Sequence, residues 1–121
     1  MQFSGINLYA KDALKSYEFY KGLGLAVKNV GENTADEWWC ATFDINGSTL
    51  WIWKARPEST QGNNRAAVQL IIGCGGLDNM NAMHADLTAK EYAISAPELQ
   101  FYGGHEMHLT DPDGNQILFL D

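Results

Sequence analysis

The order of structural signals in residues 1–56 recurs in residues 66–121, and this internal repeat most constrains what the chain can fold into. Each half reads as strand, helix and then three strands. A module of that size cannot easily bury its own sheet face. Two modules side by side can share a core and leave a concave cleft between curved sheets, where pockets form preferentially. The expected fold is α+β, with two βαβββ modules forming an open curved-sheet cup in a single domain, 1–121. Residues 57–65 read as the linker. They lie in a polar stretch that contains Pro57, Gly62 and Asn63-Asn64.

In the first half, Phe3, Gly5, Asn7 and Tyr9 alternate with Ile6 and Leu8, a strand pattern. Asp12 is placed to cap a helix in which Leu14, Tyr17 and Tyr20 recur at helical spacing. Gly22 and Gly24 sit where that helix should stop. Residues 25–30, 38–45 and 49–53 read as strands, the last two joined by the hairpin signal Asn46-Gly47. In the second half, residues 68–72 read as a strand and 77–90 as a helix with Leu77, Met80, His84 and Leu87 on one stripe. Residues 93–95 read as a short strand. Strands at 106–110 and 116–120 flank the turn Asp111-Pro112-Asp113-Gly114.

Charge is divided unevenly. The net charge is −7. Residues 1–65 hold seven Lys/Arg and seven Asp/Glu, while residues 66–121 hold Lys90 against eight acids. An acidic chain argues against nucleic-acid and anionic-membrane surfaces, which need clustered cations. It suits a cationic ligand, and it equally serves solubility. No apolar run reaches the ~20 residues of a bilayer span, and the N-terminus lacks the features of a secretory signal. Cys40 and Cys74 match no zinc spacing and have no adjacent Lys, Arg or His to lower a thiol pKa. A cytoplasmic location is expected.

Three stretches make the sequence resemble the vicinal oxygen chelate superfamily of glyoxalases, bleomycin-resistance proteins and extradiol dioxygenases. They are Asp12 with Ser16-Tyr17-Glu18-Phe19-Tyr20 and Leu23-Gly24-Leu25, the paired βαβββ order, and Asp111-Pro112-Asp113-Gly114-Asn115 before a hydrophobic strand. The resemblance implies paired modules in an open cup, usually in homodimers. In metal-dependent members it implies four strand positions that hold one divalent ion with His, Gln or Glu. Those positions fall here on Gly5, Trp51, Ala67 and Leu118. None of the four carries an imidazole or carboxylate, so the family metal is not expected, nor is any other cofactor. Neighbouring Asn7 or Gln69 would be single weak ligands.

By alternation, the face that carries the metal positions also carries Asn7 and Tyr9, Thr49 and Trp53, Gln69 and Ile71, and Gln116 and Leu120. Trp38 or Trp39 adds another ring, with Trp39 taken as the candidate. Such a face stacks flat ligands and attracts cations at ~0.5–2 kcal/mol each. The competing reading is that the tryptophans are ordinary core aromatics. Glu106 and His108 share one strand face and are candidates for general-base chemistry or cation binding, or are simply solvated charge. His84 reads as structural. Glu32, Asp36 and Glu37 read as a solvated loop. Gly73-Cys74-Gly75-Gly76 lacks the Lys-Ser/Thr of a phosphate loop.

The functional expectation is a metal-free, non-enzymatic binder similar to the bleomycin-resistance branch, with antibiotic resistance as the associated role. It sequesters a small aromatic or cationic ligand through Asn7, Tyr9, Trp39, Trp51, Trp53, Gln69, Glu106, His108 and Leu118, as a homodimer without nucleic-acid or membrane partners. The alternatives are a metal-dependent lyase, isomerase or dioxygenase using non-standard ligands, an enzyme without metal using His108 and Glu106, and a pure interaction module.

Overall fold

The structure, a computed structural model, describes residues 3–31, 40–54 and 68–121, with only the backbone of Cys40. Residues 57–65, Glu32, Asp36, Glu37, Trp38, Trp39 and Ala67 lie outside the described residues. Two compact units divide the chain at residues 66 and 67. The first contains β1 (Gly5–Ala10), α1 (Ala13–Gly22), β2 (Ala26–Val30), β3 (Cys40–Ile45) and β4 (Ser48–Lys54). The second contains β5 (Gln69–Gly73), α2 (Leu77–Ala89), β6 (Glu98–Leu99), β7 (His105–Thr110) and β8 (Gln116–Leu120). Each forms a four-stranded sheet, in the orders β1-β4-β3-β2 and β5-β8-β7-β6. In each, the first and last strands pair in parallel and the other neighbours are antiparallel. This is the repeated α+β architecture expected from the sequence.

Alternation sets which way each strand looks. In the first unit, Leu8, Ala41, Phe43, Leu50 and Ile52 are buried. Helix α1 meets that layer with Ala13, Ser16, Tyr17 and Tyr20, and Tyr17 stacks on Phe43 with ring centroids 5.7 Å apart. Asp12 caps the helix, accepting from the Lys15 N–H at 3.1 Å. In the second unit, Leu70, Met107, Leu109, Ile117 and Phe119 alternate inward, and Met80 and Leu87 of α2 are fully buried. No helix among the described residues is long and apolar enough to cross a membrane.

Five expectations need correction. Leu14 is 59% exposed, because the buried stripe runs through positions 13, 16, 17 and 20 and Leu14 lies a quarter-turn off it. Leu77, in the first turn of α2, is also exposed, and Lys90 caps that helix rather than extending it. Phe3 precedes β1 and is exposed. Residues 93–95 are not a strand; β6 is Glu98–Leu99. The Ser95 N–H does bond the His108 carbonyl, but the His108 N–H is taken by the Ser95 hydroxyl at 2.8 Å. A side-chain oxygen thus replaces the ladder carbonyl, and Pro97 then offers no N–H.

The two hairpin turns differ in construction. Asn46 and Gly47 both adopt positive φ, as a two-residue turn joining twisted strands requires. The turn at 111–115 is built around a buried carboxylate. Asp111 Oδ1 accepts from the N–H groups of Asp113 and Asn115, each at 2.8 Å, and Oδ2 accepts from Asn115 Nδ2 at 2.9 Å. Asn115 Oδ1 in turn receives the Val68 N–H at 3.3 Å, tying the turn to the chain entering β5.

Candidate functional site

Each sheet has one face covered by its helix and one open face. On the first unit's open face, register places Asn7 beside Trp51 and Tyr9 beside Trp53. The two indoles stack almost parallel, with centroids 5.6 Å apart and an interplanar angle of 6°. Trp53 Nε1 donates to Asn7 Oδ1 at 3.0 Å, which fixes that ring's orientation. Trp51 remains 37% exposed. Gly5 begins this row, and the β1 backbone passes so close to β4 that a Cβ there would lie 1.9 Å from the Thr49 carbonyl oxygen.

Next to Trp51 lies a pocket of about 210 Å³, bounded by residues 28–31, Thr42, Thr49 and Trp51. Its shape follows from an irregularity in β2. Val27 pairs with Phe43 and Asn29 with Thr42, leaving Lys28 as an extra residue. Alternation from Val27 already turns Lys28 to the open face, and the bulge sets Asn29 beside it; Lys28 Nζ lies 3.4 Å from Thr49 Oγ1. Thr42 sits between Asn29 on one neighbouring strand and Trp51 on the other. It is 4% exposed, and its hydroxyl has no hydrogen-bond partner among the described residues.

The second unit's open face is more polar. Gln69 Nε2 donates to Gln116 Oε1 at 3.3 Å, and Ile71 and Leu118 pair beside them. Further along, His108 Nε2 lies 3.3 Å from Glu106 Oε1, and the Tyr102 hydroxyl donates to Glu106 Oε2 at 2.5 Å. Both oxygens of this carboxylate are therefore engaged. The hydrogen bond to Glu106, then burial and the negative charge around it, push the Tyr102 phenol up to about 12. At the start of β7, Asp121 accepts from the His105 backbone at 2.9 Å and faces its Nδ1 at 2.8 Å. The backbone bond, followed by the side-chain bond, holds the Asp121 carboxyl below the usual range. Burial, followed by the charge of Asp121, raises the Cys74 thiol, so this cysteine is not poised as a nucleophile.

The first unit thus gathers Asn7, Tyr9, Trp51 and Trp53 on one sheet face, and the second gathers Gln69, Glu106, His108 and Leu118 on another. Sequence reasoning missed Lys28 and Tyr102. Lys28 reads as one residue of an ordinary strand, and only the pairing register exposes the bulge. Tyr102 sits in an aromatic-glycine stretch, Phe101-Tyr102-Gly103-Gly104, four residues before Glu106, a spacing that could have marked it.

The implied metal can be tested against its four mapped positions. Gly5 has no room for a side chain, Trp51 offers only the N–H of an indole whose ring is stacked on its neighbour, and Ala67 and Leu118 are hydrocarbon. Among the described residues, no group of three or more His, Cys, Asp or Glu side chains converges as a metal site would require. These residues do not fit the family's ion.

Two sheets of identical strand order, each backed by one helix and open on the other face, define a class of paired-module proteins. The sequence matches the Glyoxalase/Bleomycin resistance protein/Dioxygenase superfamily over residues 2–119, and the chain belongs to that superfamily. Among solved structures it is similar to a lactoylglutathione lyase from Agrobacterium tumefaciens, with 15% identity, a TM-score of 0.75, and coverage of 98% of this chain and 92% of that one. It is also similar to a bleomycin-binding protein solved with bleomycin, at 19% identity and TM-score 0.65, covering 100% and 98% of the two chains. A bleomycin resistance determinant encoded on the transposon Tn5 matches at 19% identity and TM-score 0.68, with the same coverage. These likenesses concern the fold. No curated protein matches the sequence.

Proposed function

We propose that the protein is a metal-free binder of a small aromatic molecule, similar in role to the bleomycin-binding members of its superfamily. The observation that carries this reading is the stacked Trp51–Trp53 pair, held by Asn7 on an open sheet face beside a pocket. A core aromatic would lie on the helix side with Leu50 and Ile52. These two rings lie opposite, where stacking and the ring quadrupole are available to a ligand. Sequestration needs affinity alone, without groups that favour a transition state. Gln69, Leu118, Glu106 and His108 extend the reading to the second unit's open face. A homodimer and a cytoplasmic location complete it; exposed Phe3, Leu99 and Phe101 are apolar surface that a second copy would cover.

Titration of the intact protein with neutral, cationic and anionic aromatic compounds tests this reading, with tryptophan fluorescence and melting temperature as readouts. Binders are expected to quench fluorescence and raise the melting point, and Trp51→Ala is expected to weaken them at least tenfold. A broad panel that moves neither signal overturns the reading. Elemental analysis after mild purification tests the metal-free part, which a stoichiometric divalent ion overturns in favour of a metal-dependent lyase, isomerase or dioxygenase.

A further inference from the structure

The pocket beside Trp51 says more about its occupant than that it is aromatic. Its volume of about 210 Å³ is smaller than the roughly 300–1,000 Å³ of pockets for drug-sized ligands, so one or two fused rings suit it. Among the described residues its one charged lining residue is Lys28, and no carboxylate among them lies within ion-pair distance of that ammonium. Asp44, next to Thr49 across the β3–β4 ladder, is exposed and is not part of the lining. The chain's excess negative charge lies in residues 66–121, not in this unit.

Thr42 is the second observation. A buried hydroxyl without a partner is costly, and this is the one such side-chain atom among the described residues. Thr42 lines the pocket, and a χ1 step moves its hydroxyl to another staggered position without backbone movement, where it can donate to an incoming acceptor. Two donors thus flank the site, one a cation and one an unpaired hydroxyl, with an aromatic face beside them.

We propose that this pocket binds a small planar aromatic ligand through an oxyanion such as a carboxylate, with Lys28 Nζ and the Thr42 hydroxyl donating to the oxyanion and Trp51 stacking on the ring. The proposal rests on the small-molecule-binding reading above and narrows its ligand class, against the cationic ligand that the net charge suggests. Lysine is a compact point charge suited to this role, and alternation along β2 places it on the open face.

Three probes sharing one ring system test it by calorimetry on the intact protein: naphthoate, naphthamide and naphthylmethylammonium. Naphthoate is expected to bind at least tenfold tighter than the amide, and the ammonium most weakly. Lys28→Met should erase the advantage of the carboxylate, bringing naphthoate to the affinity of the amide. Thr42→Val should weaken naphthoate severalfold while raising the melting temperature of the free protein, since it removes an unpaired hydroxyl at constant shape. A hydroxyl kept only for structure would give the opposite melting shift. Binding of all three probes with no preference, a preference for the ammonium, or an unchanged carboxylate advantage in Lys28→Met overturns the proposal and leaves the binding reading standing. If no probe binds and the wider aromatic panel also fails, both fall.

Discussion

The two units share a strand order, a helix position and an inward alternation, yet their open faces have diverged. The first presents stacked indoles, a lysine and threonines in a half with no net formal charge. The second presents glutamines, Ile71 and Leu118, and a Tyr102–Glu106–His108 chain in a half that carries the whole excess of −7. The helix-facing layer is held to one pattern because any polar residue there would need a partner. The open layer has no such constraint and is free to specialise. Repetition thus preserves the scaffold while the chemistry separates.

The sharpest way to break the comparison is at Gly5. The β1–β4 approach holds the first unit's sheet together and seats the indoles. Gly5→Ala drives a Cβ into the Thr49 carbonyl, from which it would stand 1.9 Å. The parallel pairing of β1 must then shift, at about 3 kcal/mol by the usual cost of overpacking. Chemical denaturation reads the loss. Tryptophan fluorescence, whose four indoles all belong to residues 1–66, should report the unfolding of this unit before the second unit loses structure. If the variant is as stable as the parent, the close approach is not what fixes the sheet.

Much of this architecture was legible in the sequence. Alternation gave the strand faces because the helix side tolerates only apolar residues, and Asp12, Asn46-Gly47 and Asp111-Pro112-Asp113-Gly114 each carry backbone chemistry with a local signature. The site was legible only in part. Trp51 and Trp53 announced themselves by spacing. The pocket did not, because it depends on a bulge at Lys28 that arises from pairing between strands. Leu14 and residues 93–95 misled for related reasons. Helical spacing admits two neighbouring stripes, and burial by the sheet chose the one through Ser16. The Ser95 hydroxyl took a ladder position from the backbone, a substitution that propensity does not register.

The hairpin turns give a second, smaller contrast. Asn46-Gly47 relies on backbone conformation alone, whereas the turn at 111–115 relies on one carboxylate with three partners. Asp111→Ala leaves the Asp113 and Asn115 amides without their acceptor in a buried setting, and should cost about 2 kcal/mol. Gly47→Ala removes only the ease of positive φ and should cost about 1 kcal/mol. Thermal melts of the two variants side by side check the order. The reverse order would mean that the Asp111 network is replaced by water at little cost.

The finest contrast is electrostatic and belongs to the second unit alone. Tyr102 donates to a carboxylate whose other oxygen faces His108, so ionising the phenol would set a phenolate against Glu106. Its folded pKa of about 12 lies above the roughly 10 of an unfolded tyrosine. The contact therefore stabilises the fold in full below pH ~10 and loses its effect as pH rises through the folded value. The phenolate ultraviolet band of the parent minus that of Tyr102→Phe isolates this one titration, which should centre at about 12. Glu106→Gln keeps the shape and removes the charge, so the same difference band should move back toward the ordinary tyrosine value. A band already at the ordinary value in the parent would mean that Tyr102 and Glu106 are separated in solution. The polar chain would then not be a fixed feature of the second face, and the asymmetry between the units would reduce to the indoles and Lys28.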